Sequence, residues 1–110
     1  MNETSQDLRA RYRQLDTFLG AYLYESWSQD YVGPDDAFRD YLADARIEEL
    51  RSFLDEVNDL LGSDERLRQA VDALSRNFSP RADYGWDERS WLLSLRERAE
   101  SELQRRPVVR

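Results

Sequence analysis

The sequence predicts an all-α fold, a compact single-domain bundle of about five helices, on three observations. Apolar residues recur at spacings of three and four in five separate stretches. No stretch alternates apolar and polar residues at period two, and no Asn-Gly or Asp-Gly hairpin turn occurs. A chain of 110 residues has room for one core. The domain is expected to span residues 1–110, ordered over roughly 6–105, with flexible ends.

The first helix is read over residues 8–22, where Leu8, Tyr12, Leu15, Phe18, Leu19 and Tyr22 share one face and Thr4 or Ser5 supplies the cap. Gly20, Tyr24, Trp27 and Tyr31 fall on the other side of the same projection, so the apolar face changes sides near residue 20. Either one straight helix is buried on two faces, or the chain bends between Gly20 and Trp27. Phe18, Leu19 and Tyr22 are assigned to the core. Tyr24, Trp27 and Tyr31 also fit the core, but their polar ends, with Glu25, Asp30, Asp35 and Asp36 nearby, fit an aromatic and acidic binding patch too.

A second helix starts at Gly33-Pro34-Asp35-Asp36, where Pro suits the first helical position and the acids suit the positive end of the dipole. Ala37, Phe38, Tyr41 and Leu42 form its apolar face, and it ends near Ala45. The third carries Ile47, Leu50, Leu54, Val57 and Leu61, widened by Phe53 and Leu60, and Gly62 is expected to close it in a left-handed conformation. Ser63 caps a fourth helix lined by Leu67, Ala70, Val71 and Leu74. Asn77-Phe78-Ser79-Pro80 ends it, and an irregular loop to Gly85 is expected to fold Phe78 and Tyr84 back onto the core. Asp87 caps the fifth helix, with Trp91, Leu92, Leu95, Ala99 and Leu103 on one side, and Pro107 opens a tail.

Composition narrows the function. The chain has no Cys and no His, which removes disulfides, thiolate metal sites, the usual zinc ligands, the usual general base and the Ser-His and Cys-His nucleophile systems. No enzymatic activity and no cofactor are expected. No apolar run is long enough for a membrane span or a secretory signal, so a cytoplasmic location is expected. All 16 basic residues are Arg, as a GC-rich coding bias would give.

The net charge of -7 is uneven. Residues 1–24 hold three acids and three Arg, residues 25–65 thirteen acids and three Arg, and residues 66–110 seven acids and ten Arg. The middle segment, at -10, repels nucleic acid and attracts basic partners over roughly 8 Å at physiological salt. A solvated surface kept for solubility explains the same charge.

The adjacent acid pairs Asp35-Asp36, Glu48-Glu49, Asp55-Glu56 and Asp64-Glu65 point about 100° apart on a helix and share no site. Asp36, Asp40 and Asp44 are different, because like charges one turn apart repel by a few tenths of a kcal/mol each. A face that tolerates this repulsion fits a partner. No EF-hand loop and no phosphate-binding glycine loop is present. The Arg96, Arg98, Arg105, Arg106 and Arg110 cluster is interrupted by Glu97, Glu100 and Glu102, so nucleic-acid binding is not expected.

FLGAYLYESWSQDY, residues 18–31, resembles the N-terminal signature of a family of small bacterial immunity proteins from contact-dependent growth inhibition and related polymorphic toxin systems. The matching positions are Phe18, Leu19, Gly20, Tyr22, Trp27, Asp30, Tyr31 and Pro34, and the Leu-rich third helix, the Phe-Ser-Pro loop and Trp91-Leu92 fit as well. Leu23 stands where the family favours Phe, and Ser26 replaces the Asp before Trp. The resemblance spans roughly residues 15–103. It implies a protein that binds the toxic C-terminal domain of a large secreted effector, often a nuclease, and blocks it inside the producing cell.

On that reading the partner is a cognate toxin domain, bound by a monomer through an acidic surface of the second and third helices. The candidate contact residues are Asp30, Asp35, Asp36, Asp40, Asp44, Glu48, Tyr24 and Trp27. A helical adaptor or regulatory subunit with no toxin partner is the alternative. A weak carboxylate-based hydrolase is a third reading, and it would need two acids facing across a cleft.

Overall fold

The computed structural model describes residues 4–23, 27–74 and 85–106. Among them are seven α-helices and one π-helical turn, with no strand. They run in the order α1 (Ser5–Arg11), α2 (Arg13–Thr17), the π turn (Phe18–Tyr22), α3 (Trp27–Asp30), α4 (Pro34–Asp44), α5 (Ile47–Leu61), α6 (Asp64–Leu74) and α7 (Glu88–Arg105). The all-α class holds. The count of about five is corrected: α1, α4, α5, α6 and α7 are the substantial helices, α2 and the π turn arise because the expected first helix is not continuous, and α3 is a further single turn after it.

Thr4 is the cap of α1. Its hydroxyl accepts from the Asp7 N–H at 3.1 Å, and the Asp7 carboxylate accepts from the Thr4 N–H at 3.2 Å. At Tyr12 the backbone leaves the helical region, with φ -113° and ψ 56°, so a periodicity that reads as unbroken is cut in two. No neighbouring side chain caps the start of α2. Glu56 of α5 does so from across the fold: its two carboxylate oxygens accept from the Gln14 and Leu15 N–H groups at 3.1 and 3.0 Å. One turn further along α5, Asp59 accepts from the Tyr12 hydroxyl at 2.5 Å and lies 3.5 Å from both Arg11 and Arg66.

The π turn explains the change of face near residue 20. Its defining bond runs from the Leu23 N–H to the Phe18 carbonyl at 3.1 Å, five residues back. Regular α spacing would put Leu23 about 140° around the axis from Phe18, and the wider turn swings it back towards that side. Leu23 is accordingly as fully buried as Phe18. The chain then leaves helical geometry at Leu23, with φ -104° and ψ 55°, before α3. Of the two options left by the sequence, the bend is therefore the one adopted.

Gly33 and Pro34 start α4 as the sequence suggests, with Asp35 and Asp36 in the first turn. Gly62 departs from expectation. Its φ is -76°, and α5 ends in a tight right-handed turn in which Gly62 and Ser63 donate to the Asp59 and Leu60 carbonyls at 3.2 Å each. That turn delivers the chain directly to Ser63, whose hydroxyl accepts from the Arg66 N–H at 3.3 Å and caps α6. A Cβ at position 62 would stand 3.3 Å from the Asp59 carbonyl, so a glycine there relieves crowding rather than supplying a left-handed angle. The glycine with positive φ is Gly85, at 68°, just ahead of α7. Asp87 caps α7 as expected, accepting from the Ser90 N–H at 3.1 Å. Asn77, Phe78, Ser79, Pro80 and Tyr84 lie outside the described residues.

Helix α5 is the hub. It packs on α2, α6 and α7, with Leu50, Phe53, Val57 and Leu60 buried. The buried residues form one contiguous cluster. At its centre Phe38 meets Phe18 edge-to-face at 5.0 Å and stacks with Tyr41 at 5.8 Å, and both Phe38 and Tyr41 lie 5.5 Å from Phe53. Aromatic pairs of this kind contribute about 0.5–1.5 kcal/mol each beyond burial, so these contacts fasten the π turn and α4 to the hub.

Two outcomes follow from the polar side of α5. Glu56→Ala strands two backbone N–H groups and should lower unfolding free energy by about 1–3 kcal/mol in denaturant titrations, with the m-value unchanged. Burial first, and the Asp59 bond second, push the Tyr12 hydroxyl up to about 12 from its ordinary 10.0. A tyrosine raised in the fold stabilises fully below its unfolded value, and that contribution is lost as pH climbs from 10 towards 12. Tyr12→Phe should therefore cost about 0.5–1.5 kcal/mol at neutral pH. It should also flatten the alkaline fall in stability, which equilibrium unfolding at a series of pH values measures.

Candidate partner-binding face

The face begins with the three aspartates one turn apart on α4. Asp40 and Asp44 are exposed and Asp36 is half-buried. Each has a neighbour that the sequence reading did not assign to it. Asp40 accepts from the Tyr31 hydroxyl at 2.9 Å and Asp44 from the Tyr22 hydroxyl at 2.8 Å, while Arg39 lies 3.5 Å from Asp36. The Tyr22 ring stands edge-on to Tyr41 at 5.6 Å, so the donor to Asp44 is itself anchored in the aromatic cluster. Part of the repulsion along the ladder is thus offset inside the fold.

Burial, then the Asp44 bond, push the Tyr22 hydroxyl up to about 12. The Tyr31 hydroxyl is also raised, first by its bond to Asp40. Both remain neutral donors at any physiological pH, and a neutral donor leaves the full carboxylate charge on the surface.

The other candidates scatter. Asp35 turns to α7, where Arg98 donates to its carboxylate at 3.0 Å and to its backbone carbonyl at 3.2 Å. Glu48 lies on the first turn of α5, 3.7 Å from Arg46. Asp30 is exposed at the end of α3, and Trp27 is half-buried against the core. Tyr24 is outside the described residues. Tyr22, assigned to the core, is half-buried with its hydroxyl at the surface. Tyr31 is likewise half-buried and packs against the core.

Sequence reasoning passed over Val32, which is 97% exposed directly after Tyr31. Its signal was available, since it falls on no helical stripe. The Tyr–Asp pairs had none, being separated by 22 and 9 residues with no local spacing to mark them.

Four of the five C-terminal arginines are used within the fold, and Arg110 lies outside the described residues. Arg96 donates to Asn58 at 3.1 Å, Arg98 holds Asp35, and Arg105 and Arg106 pair with Glu102. Arg106 also donates to the Leu42 and Ala45 carbonyls at the end of α4. No group of three or more His, Cys, Asp or Glu able to hold a metal occurs among the described residues. No helix among them is long and apolar enough to cross a membrane.

The described face is a row of three aspartates on one helix, two of them accepting tyrosine hydroxyls. The family model for the CdiI immunity protein matches residues 11–99, and the chain belongs to that family, the immunity proteins of contact-dependent growth inhibition. The matched span contains the signature positions Phe18 to Pro34, the whole of α4, α5 and α6, and the first two-thirds of α7. No curated protein and no solved structure matches the chain.

The order of causes at Tyr22 gives a test of this geometry. Asp44→Asn should lower the Tyr22 hydroxyl from about 12 but leave it above 10.0, because burial outranks the hydrogen bond. NMR titration of the Tyr22 Cζ carbon reads both values, and a return to 10.0 would show the Tyr22–Asp44 pairing to be the whole cause.

Proposed function

We propose that this immunity protein binds the toxic C-terminal domain of a secreted effector through the acidic face of α4 and its flanks, and neutralises it without chemistry of its own. The single observation carrying this reading is the run of carboxylates at Asp36, Asp40 and Asp44, the last two exposed, set in a chain segment of charge -10. Such a field steers a basic partner and competes with phosphates for its cationic site, which favours a nuclease as the toxin. Asp30, Glu48 and Trp27 are further candidate contacts, Tyr24 is a candidate from the sequence alone, and Val32 adds an exposed apolar contact. Binding needs neither cofactor nor metal. It takes place in the cytoplasm of the producing cell, with the protein acting as a monomer.

The test is a calorimetric titration against the C-terminal domain of the effector encoded immediately upstream. Charge reversal of Asp36, Asp40 and Asp44 together should weaken binding more than about tenfold, or about 1.4 kcal/mol. Most of the loss should appear in the association rate at low salt. An affinity unchanged by the triple reversal would remove the acidic face from the interface. Failure of the upstream domain to bind at all, or of the protein to rescue growth when both are expressed, would favour the helical adaptor reading.

A further inference from the structure

One cation stands among the acids of α4. Residues 25–45 hold six acids and a single basic residue, Arg39, in the middle of that helix. Its side chain is 74% exposed and lies 3.5 Å from an Asp36 carboxylate oxygen. An exposed pair at that distance, three residues apart on a helix, contributes little to the fold.

The rest of its surroundings leave Arg39 open. Its neighbours on the helix surface are residues 35, 36, 42 and 43. Asp35, which could hold it from one turn back, is turned to α7, where Arg98 donates to its carboxylate and its carbonyl at 3.0 and 3.2 Å. Leu42 is buried, and Ala43 is exposed but too short to cover a guanidinium. Arg39 donates no hydrogen bond among the described residues. Arg89, Arg96, Arg98 and Arg106 each donate at least one.

This cation also works against the field around it. A guanidinium among aspartates weakens their attraction for a basic partner, so a surface that served only to steer would be better without it. It can discriminate, however. A cation at that point favours a partner with a carboxylate opposite and repels one that presents another cation there. The planar fork can meet such a carboxylate with two parallel N–H donors.

We propose that Arg39 sets the specificity of the acidic face by pairing with a carboxylate of the toxin. The proposal rests on the toxin-binding reading above and sharpens it: the aspartates steer basic toxins, and an acid placed opposite Arg39 selects the cognate one.

Steering and pairing predict effects of opposite sign. Arg39→Gln keeps most of the length and the helix propensity, and by removing one positive charge it takes the net charge from -7 to -8. Steering alone makes R39Q bind as well as the wild type or better. Pairing makes it weaker by at least about tenfold in calorimetric titration against the upstream-encoded toxin domain, with a melting temperature close to wild type. Arg39→Glu should weaken binding further. An acid-to-arginine scan of the toxin domain should then find a substitution that restores binding to R39E while weakening binding to the wild type, a result that a folding defect in R39E could not give.

Wild-type or higher affinity in R39Q, or a scan in which no substitution restores R39E, would overturn the pairing. The triple reversal on α4, run alongside, separates the two ideas. A toxin that responds to the triple and is indifferent to R39Q leaves the acidic face standing and removes Arg39 alone. A domain that does not bind even the wild-type protein removes the toxin reading, and the role of Arg39 falls with it.

Discussion

The fold depends on two carboxylates of α5, Glu56 and Asp59, that hold the break in the chain at Tyr12. Without them the stripe from Leu8 to Tyr22 would favour one straight helix, and α1 could not lie on α6 while α2 lies on α5. Glu56 replaces the missing cap of α2, and Asp59 fixes the ring on which the chain turns. The two are held differently. At Glu56 burial outweighs the two N–H donors, and its carboxyl is raised above the usual range. At Asp59 the Tyr12 hydroxyl outweighs burial, and the carboxyl is lowered. Glu56 therefore ionises at some expense to the fold, but removing it would leave two backbone donors unsatisfied, and the second cost is the greater.

The same dependence on α5 and α7 explains how arginine is used. A GC-rich coding bias accounts for the absence of lysine, yet at several positions the guanidinium fork is what the geometry requires. Arg106 donates to two carbonyls and to Glu102 at once, and Arg98 spans the carboxylate and the carbonyl of Asp35. Arg89 likewise joins the Leu61 carbonyl at the end of α5 to Asp64 at the start of α6. A point-like ammonium has no such planar fork. Among the described residues, Arg66, Arg89, Arg96, Arg98 and Arg106 thus fasten the positive C-terminal segment to the acidic middle.

Much of this was legible in the sequence. Thr4, Pro34, Ser63 and Asp87 start helices where local capping chemistry says they should, and the apolar stripes of α4, α5, α6 and α7 mark the sides turned to the core, although on α5 Leu50, Phe53, Val57 and Leu60 are buried while Ile47, Leu54 and Leu61 are half-buried. These features depend on residues three or four apart, which is the range that periodicity reports. The break at Tyr12 was not legible, because its cause lies 44 residues away in Glu56 and no local residue marks it. The π turn left an indirect trace as the change of face near Gly20, and Leu23 was lost from the expected core for that reason. Gly62 shows the opposite error: a local rule favoured a left-handed angle, but the short route from α5 to Ser63 demanded a right-handed one. The candidate face was legible as charge and illegible as structure, since nothing in the order of residues ties Tyr22 to Asp44 or Tyr31 to Asp40.

That last point changes the meaning of the aspartate ladder. Read alone, three like charges on one helix face imply an uncompensated cost that a partner would justify. In the fold the cost is small: Asp36 lies in the favourable first turn beside Arg39, and Asp40 and Asp44 each accept a tyrosine hydroxyl. Asp44 is in the unfavourable last turn of a helix with no basic residue there, but Arg106, directly after α7, covers the carbonyls at that end. Tolerated repulsion is therefore no evidence for a partner. Orientation is better evidence. Two exposed carboxylates held by neutral donors keep their charge and have already lost much of their rotamer freedom, so a cationic partner would meet them with less left to order.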